Sequence, residues 1–246
     1  MEPPEKTKTS PTTLKDGDVI LSNPQDICDS FNEFFAQIGN TIADYLPDFR
    51  NETSDVLEYL HINVNSTFDI PEVSTNFVKE ELSKLNDAKS VGLDGISPKL
   101  LRLGATAIAP SITWILNLSI TTCTFADVWK VAKVVPIHKQ GSVQDRKIFR
   151  PISILSTSSK LLERHVHISF YNFLKSNELL YKAQSGFRNL FSCETAITRM
   201  VEKWAKSINY GYMNGVVLLD LRKAFDLIDH NMLLKNYECI NVVTIH

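Results

Sequence analysis

The first residue in this chain that invites chemistry is a carboxylate at the end of a short apolar run. In Gly215-Val-Val-Leu-Leu-Asp-Leu-Arg-Lys-Ala-Phe-Asp226 the run 216–219 reads as a buried strand, and Asp220 stands where that strand should emerge. Hard divalent cations take carboxylate oxygens, so a strand-end aspartate is in a metal-ligating posture. An aspartate capping the following turn or helix fits the same position, and these residues alone leave both readings open.

A second chemical feature is local charge. The whole chain has a formal net charge of -2 and a pI of about 6.3, so no overall basic field advertises a nucleic-acid partner. Residues 130–150 nevertheless hold Lys130, Lys133, Lys139, Arg146, Lys147 and Arg150 against a single acid, Asp145. Two expected strands, 131–138 and 148–154, flank a polar loop there, which puts the cations on a hairpin. Phe149 beside Arg150 adds a stacking surface to the charge, a combination that suits phosphates and bases. A solvated polar loop is the plainer alternative.

Other candidates carry less chemistry. Gly92-Leu-Asp-Gly95 reads as a tight turn with positive φ angles, or as a loop that could cradle a phosphate. Gln184, in Ala183-Gln-Ser-Gly-Phe-Arg188, presents an amide in a turn. His165 and His167 are two apart on a helix and face different directions, so they make no metal pair. Cys28, Cys123, Cys193 and Cys239 are widely spaced and include no C-x-x-C pair, which argues against a zinc or disulfide framework and predicts buried free thiols.

The elements that must position these residues follow from periodicity. Residues 1–24 read as a flexible tail, and 25–70 as a helical extension with a linker. Within it Phe31, Phe34, Phe35, Ile38, Ile42, Tyr45 and Leu46 form the stripe of a helix that Pro47 ends. Ser74 should cap a helix running to about Lys89, and the apolar stretch 99–122 should be a helix kinked or split at Pro110. Residues 156–177 form a further helix, with Leu161, Leu162, Val166, Phe170, Phe173 and Leu174 inward. Ser192 caps another, whose face is Ile197, Met200, Val201, Trp204 and Ile208. No apolar run has signal-peptide or membrane-span character, so an intracellular setting, cytoplasm or nucleus, is expected with no membrane partner.

Taken in order, five blocks resemble those of non-LTR retrotransposon reverse transcriptases of the LINE-like, jockey-like kind. They are Leu93-Asp-Gly-Ile-Ser-Pro-Lys-Leu-Leu, Trp129-Lys-Val-Ala-Lys-Val-Val-Pro-Ile-His-Lys139, Phe149-Arg-Pro-Ile-Ser153, Gln184-Ser-Gly-Phe187 and Leu219-Asp-Leu-Arg-Lys-Ala-Phe-Asp226. The resemblance implies an α+β fold, an incomplete right-hand polymerase comprising fingers and the start of a palm over 71–246. It implies two-metal nucleotidyl transfer with Mg²⁺ (or Mn²⁺), on an RNA template, a DNA primer and dNTPs. By carry-over Asp220 is the catalytic, metal-bridging carboxylate and the carbonyl of Leu221 a second ligand. Lys139 and Arg150 neutralise phosphate charge, the backbone through Arg222, Lys223 and Ala224 lies along the triphosphate, Phe225 sits beneath the sugar, and Gln184 lies near template or nucleotide.

Departures from the family pattern accompany the matches. Gly92-Leu-Asp-Gly95 stands for Gly-Pro-Asp-Gly, and Phe149-Arg-Pro151 for Tyr-Arg-Pro. The family's adjacent Asp pair is missing from the 246 residues, and Phe125-Ala-Asp-Val128 precedes the basic hairpin and lacks the second Asp. The expectation is a truncated, inactive polymerase fragment, with an unpaired palm edge open to self-association. The alternatives are a non-catalytic remnant that binds RNA or a partner, and an unrelated phosphotransferase. The latter calls for an Asp two residues after Asp220, where Arg222 stands.

Overall fold

The computed structural model describes residues 11–43, 66–139, 141–221, 223–225, 227–239 and 242. It divides the chain into two compact units: one draws on the chain up to Phe170 and from Asp226 onward, the other is Tyr171–Phe225.

The first unit opens with an antiparallel hairpin, β1 (Leu14–Asp16) and β2 (Val19–Leu21), turning on Gly17 at φ +61°. Residues expected in a flexible tail thus make a ladder, because Leu14 has a core to enter and is fully buried. Asn23 opens α1 (Pro24–Ala43): its Oδ1 accepts from the Gln25 amide at 2.8 Å, and Pro24 takes the first helical position. Ile27, Phe31 and Ile38 are buried along this helix. Tyr45, Leu46, Pro47 and the side chain of Ile42 lie outside the described residues.

The main core of this unit is helical. α2 (Thr75–Ser83) begins where Ser74 accepts from the Phe77 amide at 3.2 Å, and it stops well before Lys89. Asn86 ends it early, since its side chain accepts from the Ala88 amide and offers the backbone a turn in place of a helix. The stretch 99–122 divides into α3 (Pro98–Leu103) and α4 (Ala105–Thr121), but the break falls at Gly104 rather than at Pro110. Gly104 closes one helix by donating to Leu100 O and opens the next by accepting from Ala107 and Ile108. α4 runs through Pro110, which simply lacks the donor for its own turn.

Short α5 (Asp127–Lys130) then brings Trp129 into the core beside Leu82, Leu101, Leu116, Leu161 and Leu162, the last two from α6 (Thr157–Ser176). Two polar ties fix these helices. Asn117 exchanges hydrogen bonds with the backbone of Val73 at 2.7 and 3.0 Å, and Glu81 on α2 receives Arg164 on α6. Phe68 is also buried and lies against Phe170, which in turn meets Tyr237 on α8 (His230–Cys239).

β3 (Lys133–His138) pairs antiparallel with β4 (Phe149–Ile154). Phe149 is 2% exposed and enters a second core with Leu14, Ile27 and Phe31, so the described part of the N-terminal extension packs on this hairpin.

In the second unit, α7 (Cys193–Asn209) starts with a reciprocal capping box between Ser192 and Thr195. Its stripe forms but is not buried: Ile197, Met200, Val201 and Ile208 are exposed, because no described element of this unit covers them. The predicted buried thiols are a further difference. Cys28, Cys123 and Cys193 are free and exposed, on the outer side of α1, in the left-handed turn after α4 and at the start of α7; the Cys239 side chain lies outside the described residues.

Arg102 grips Asp87 in two parallel hydrogen bonds of 2.7 and 2.8 Å between α3 and the turn after α2. Those bonds, reinforced by the charges of Arg102 and Lys99, hold the Asp87 carboxyl below its ordinary value. A depressed carboxylate stabilises the fold fully above its unfolded value, about pH 4, and loses that contribution as pH falls through the lower folded value. Urea midpoints of wild type and Asp87→Asn should therefore differ by a small constant amount from about pH 5 to about pH 8, and converge in stronger acid.

Candidate functional site

The residues singled out for chemistry fall in both units. In the first, the amide of Lys139 donates to Ile148 O at 3.2 Å, and Ile137 lies opposite Arg150. Hydrogen-bonded pairs therefore fall at 139/148, 137/150 and 135/152. The directly opposed Pro136 and Pro151 occupy the non-hydrogen-bonded pair between them, where a missing donor costs no ladder bond.

Alternation then places Lys133, Val135, Ile137 and Lys139 on one face with Arg150, Ile152 and Ile154. Lys133, Ile137, Lys139, Arg150 and Ile152 are exposed. The opposite face carries buried Phe149, with His138 edge-on to its ring at 5.3 Å. One face of a two-stranded ribbon thus meets the core and the other presents cations beside aliphatic side chains.

The six cations of residues 130–150 divide by role. Arg146 is committed to the fold: Nη1 donates to Asp16 Oδ2 at 2.7 Å and to Ser30 Oγ at 2.8 Å, and the guanidinium stacks over Phe34. Lys130 pairs with Asp127 and depresses that carboxyl through its hydrogen bond and charge. Lys133, Lys139, Lys147 and Arg150 have no ion partner among the described residues. Lys133 and Lys147 thus share that property with Lys139 and Arg150. Charge counting alone could not separate them from Arg146, whereas the i, i+2 alternation already put Lys133 with Lys139.

The loop 92–95 serves this region structurally. Gly95 is left-handed at φ +68° as expected, and its amide bonds to Gly92 O. Gly92 is needed for a different reason: a side-chain carbon there would come within 3.1 Å of the backbone of Leu155 and Ser156, just where α6 begins.

In the second unit the run 216–219 is not the buried strand that was expected. Residues 213–221 form no strand, and Val217, Leu218 and Leu219 are all more than four-fifths exposed. A strand exists only with a partner for its N–H and C=O groups, and no described residue pairs with this one. Asp220 consequently stands exposed, with no hydrogen-bond or ion partner among the described residues. The chain then turns through Lys223, left-handed at φ +53°. Arg222 and Asp226 lie outside the described residues.

Two of the expected blocks do meet. Phe187 and Phe225 stand edge to face, with ring centroids 6.1 Å apart and planes at 89°. This brings the loop of Gln184 to Ala224 and Phe225. Gln184 is exposed, its Nε2 donating within its own loop to Gly186 O at 3.1 Å. The loop is held by Arg188, which donates to the carbonyls of Tyr181 and Gln184 and lies 4.5 Å over Phe191.

Among the described residues, no group of three or more His, Cys, Asp or Glu could hold a metal ion. Asp220 and the Leu221 carbonyl are two oxygen donors close in sequence, and Mg²⁺ commonly completes its octahedron with substrate phosphates and water. No helix among the described residues is long and apolar enough to cross a membrane.

Residues 137–246 match the family described as reverse transcriptase (RNA-dependent DNA polymerase). That segment begins inside β3 and includes Lys139, Arg150, Gln184 and the stretch 220–225. This segment is similar to reverse transcriptases. The chain is similar to the probable RNA-directed DNA polymerase from transposon BS of Drosophila melanogaster, 25% identical over 181 residues, which is 73% of this chain and 20% of that protein. It is 28% identical over the same length and shares to the RNA-directed DNA polymerase from mobile element jockey of the same species. A third relative, from transposon X-element, is 26% identical over 154 residues, 62% of this chain and 17% of its own length. The chain spans about a fifth of the length of the curated relatives it matches.

An apolar run that no described residue pairs with is a place where the chain is accessible to a protease. Limited chymotrypsin digestion of the chain is expected to cut first within 212–225 and to leave β3–β4 intact, as read by mass spectrometry of early fragments. Initial cleavage inside 133–154 would contradict the exposures described.

Proposed function

We propose that this chain supplies part of an RNA-directed DNA polymerase, namely the basic hairpin of the fingers and the first metal-bridging carboxylate of the palm. The observation that carries the proposal is the β3–β4 register. It leaves Lys139 and Arg150, with Lys133, unpaired on an exposed face, in a chain whose matching segment also contains Asp220. Unpaired cations on a fixed ribbon suit phosphate groups, since each neutralised phosphate releases condensed counterions.

In this reading the partners are an RNA template, a DNA primer and dNTPs. Lys139 and Arg150 meet triphosphate charge, the backbone of Arg222, Lys223 and Ala224 lies along the phosphates, and Phe225 lies beneath the sugar with Gln184 near the template. The contact between Phe187 and Phe225 supports this part, because it puts two of these blocks together. Asp220 and the Leu221 carbonyl contribute two ligands to a Mg²⁺ (or Mn²⁺) site that substrate phosphates and further carboxylates complete. The exposed run 216–221 is the palm edge, open to a pairing strand or to self-association. Such a role belongs in the cytoplasm or nucleus.

The free cations favour nucleic-acid binding whether or not catalysis follows. Titration of a labelled RNA–DNA primer–template across salt should give a linear fall of log K with log [salt]. Lys139→Ala and Arg150→Ala should each reduce that slope by roughly one unit for every phosphate no longer neutralised; unchanged slopes would remove the hairpin from the site. The 246 residues hold no Asp-Asp dipeptide. A polypeptide of these residues alone is therefore expected to extend no primer with Mg²⁺ or Mn²⁺. Product that disappears on Asp220→Ala would show that its carboxylates suffice.

A further inference from the structure

The cationic face of β3–β4 depends on its other face and its loop, and both are held by a part of the chain that contains none of the cations. An isolated two-stranded hairpin is marginal in water. β3 and β4 form a two-stranded sheet on their own, so something else must hold it. The support comes from residues 13–35. Leu14, Ile27 and Phe31 enclose Phe149, and the Phe31 ring meets it edge-on at 5.0 Å.

The loop joining the strands is held by the same segment. The Lys15 amide donates to Gln144 O at 2.8 Å, which pairs the backbone of Lys15 with that of Asp145 as a single parallel β-bridge, and Gln144 Nε2 donates to Thr13 Oγ1 at 3.0 Å. Arg146, in the turn of residues Arg146–Ile148 that leads into β4, is caught by a relay. It donates to Asp16 Oδ2 and to Ser30 Oγ, and the Ser30 hydroxyl donates to the same carboxylate oxygen at 3.1 Å. Ser30 is buried, and the Asp16–Arg146 pair is about one-third exposed at most.

Lys139, Lys147 and Arg150 flank that loop. From this arrangement we infer that Asp16 and Ser30 are positioning residues: through Arg146 they set the geometry in which the three exposed cations meet a phosphodiester backbone. The N-terminal hairpin and α1 are then part of the nucleic-acid-binding unit. The inference rests on the polymerase-segment reading for its ligand, but the positioning itself does not.

The test uses the full chain with Asp16→Asn, Asp16→Glu and Ser30→Ala, and a labelled single-stranded RNA as probe. By charge alone, removing a carboxylate beside a basic hairpin should tighten RNA binding. Positioning has the opposite sign: a hairpin competent only about a tenth of the time weakens binding about tenfold. The salt slope should stay at the wild-type value, because the same cations engage once the hairpin is in place. Asp16→Glu should recover much of the affinity. Ser30→Ala, which keeps the ion pair and leaves a milder gap, should show a smaller loss and covers the case in which Asp16→Asn does not fold.

Amide hydrogen exchange over 135–152, measured without RNA, reads the positioning independently. It should quicken in Asp16→Asn and Ser30→Ala while the α2–α4 core stays protected. Unchanged exchange, or RNA binding that tightens in Asp16→Asn, overturns the inference. Quickened exchange in a chain whose wild type binds no RNA leaves the positioning standing and removes the nucleic-acid reading instead.

Discussion

Burial of Phe149 is the interaction on which the accessible chemistry of the first unit depends. A two-stranded ribbon has too little surface to fold by itself, so one of its faces must be surrendered to a core. Phe149 surrenders it, against Leu14, Ile27 and Phe31. Because side chains alternate along a strand, the neighbouring Arg150 is then forced outward, and the register carries Lys139 and Lys133 with it. The paired prolines add to this definition. A slip of β3 by one residue would move Pro136 into a hydrogen-bonded position and turn Lys133 and Lys139 inward.

The charge on the same hairpin shows why a local basic run is an incomplete statement of function. Arg146 has the geometry for two-donor recognition, and the fold uses it on Asp16 and Ser30. Lys130 answers Asp127 within one helical turn. What remains for a ligand is the subset that register and loop leave without a counter-ion.

The second unit has the opposite condition. Its capping box and turns are satisfied locally, yet the apolar faces that these elements create are exposed: the stripe of α7 and the run before Asp220. Local signals can make a helix, whereas burial of its stripe needs another surface. Asp220 follows suit: it is exposed, and among the described residues it belongs to no group of three or more His, Cys, Asp or Glu that could hold a metal ion.

Much was determined by the sequence alone. Ser74 and Ser192 fixed helix starts, because a hydroxyl that accepts an early amide is a purely local device. The two strands around the basic loop and the five ordered blocks were legible too, and with them the family that residues 137–246 match. Helix ends were less so. Asn86 cut one short and Gly104, not Pro110, divided another, since competing turn chemistry decides a C-terminus. Tertiary structure alone decided that residues 14–21 form a hairpin, that Arg146 is structural and Arg150 free, and that 216–219 lies open. Each of these depends on a partner distant in the chain, present for Phe149 and absent among the described residues for Leu219, and no local pattern encodes whether that partner will be there.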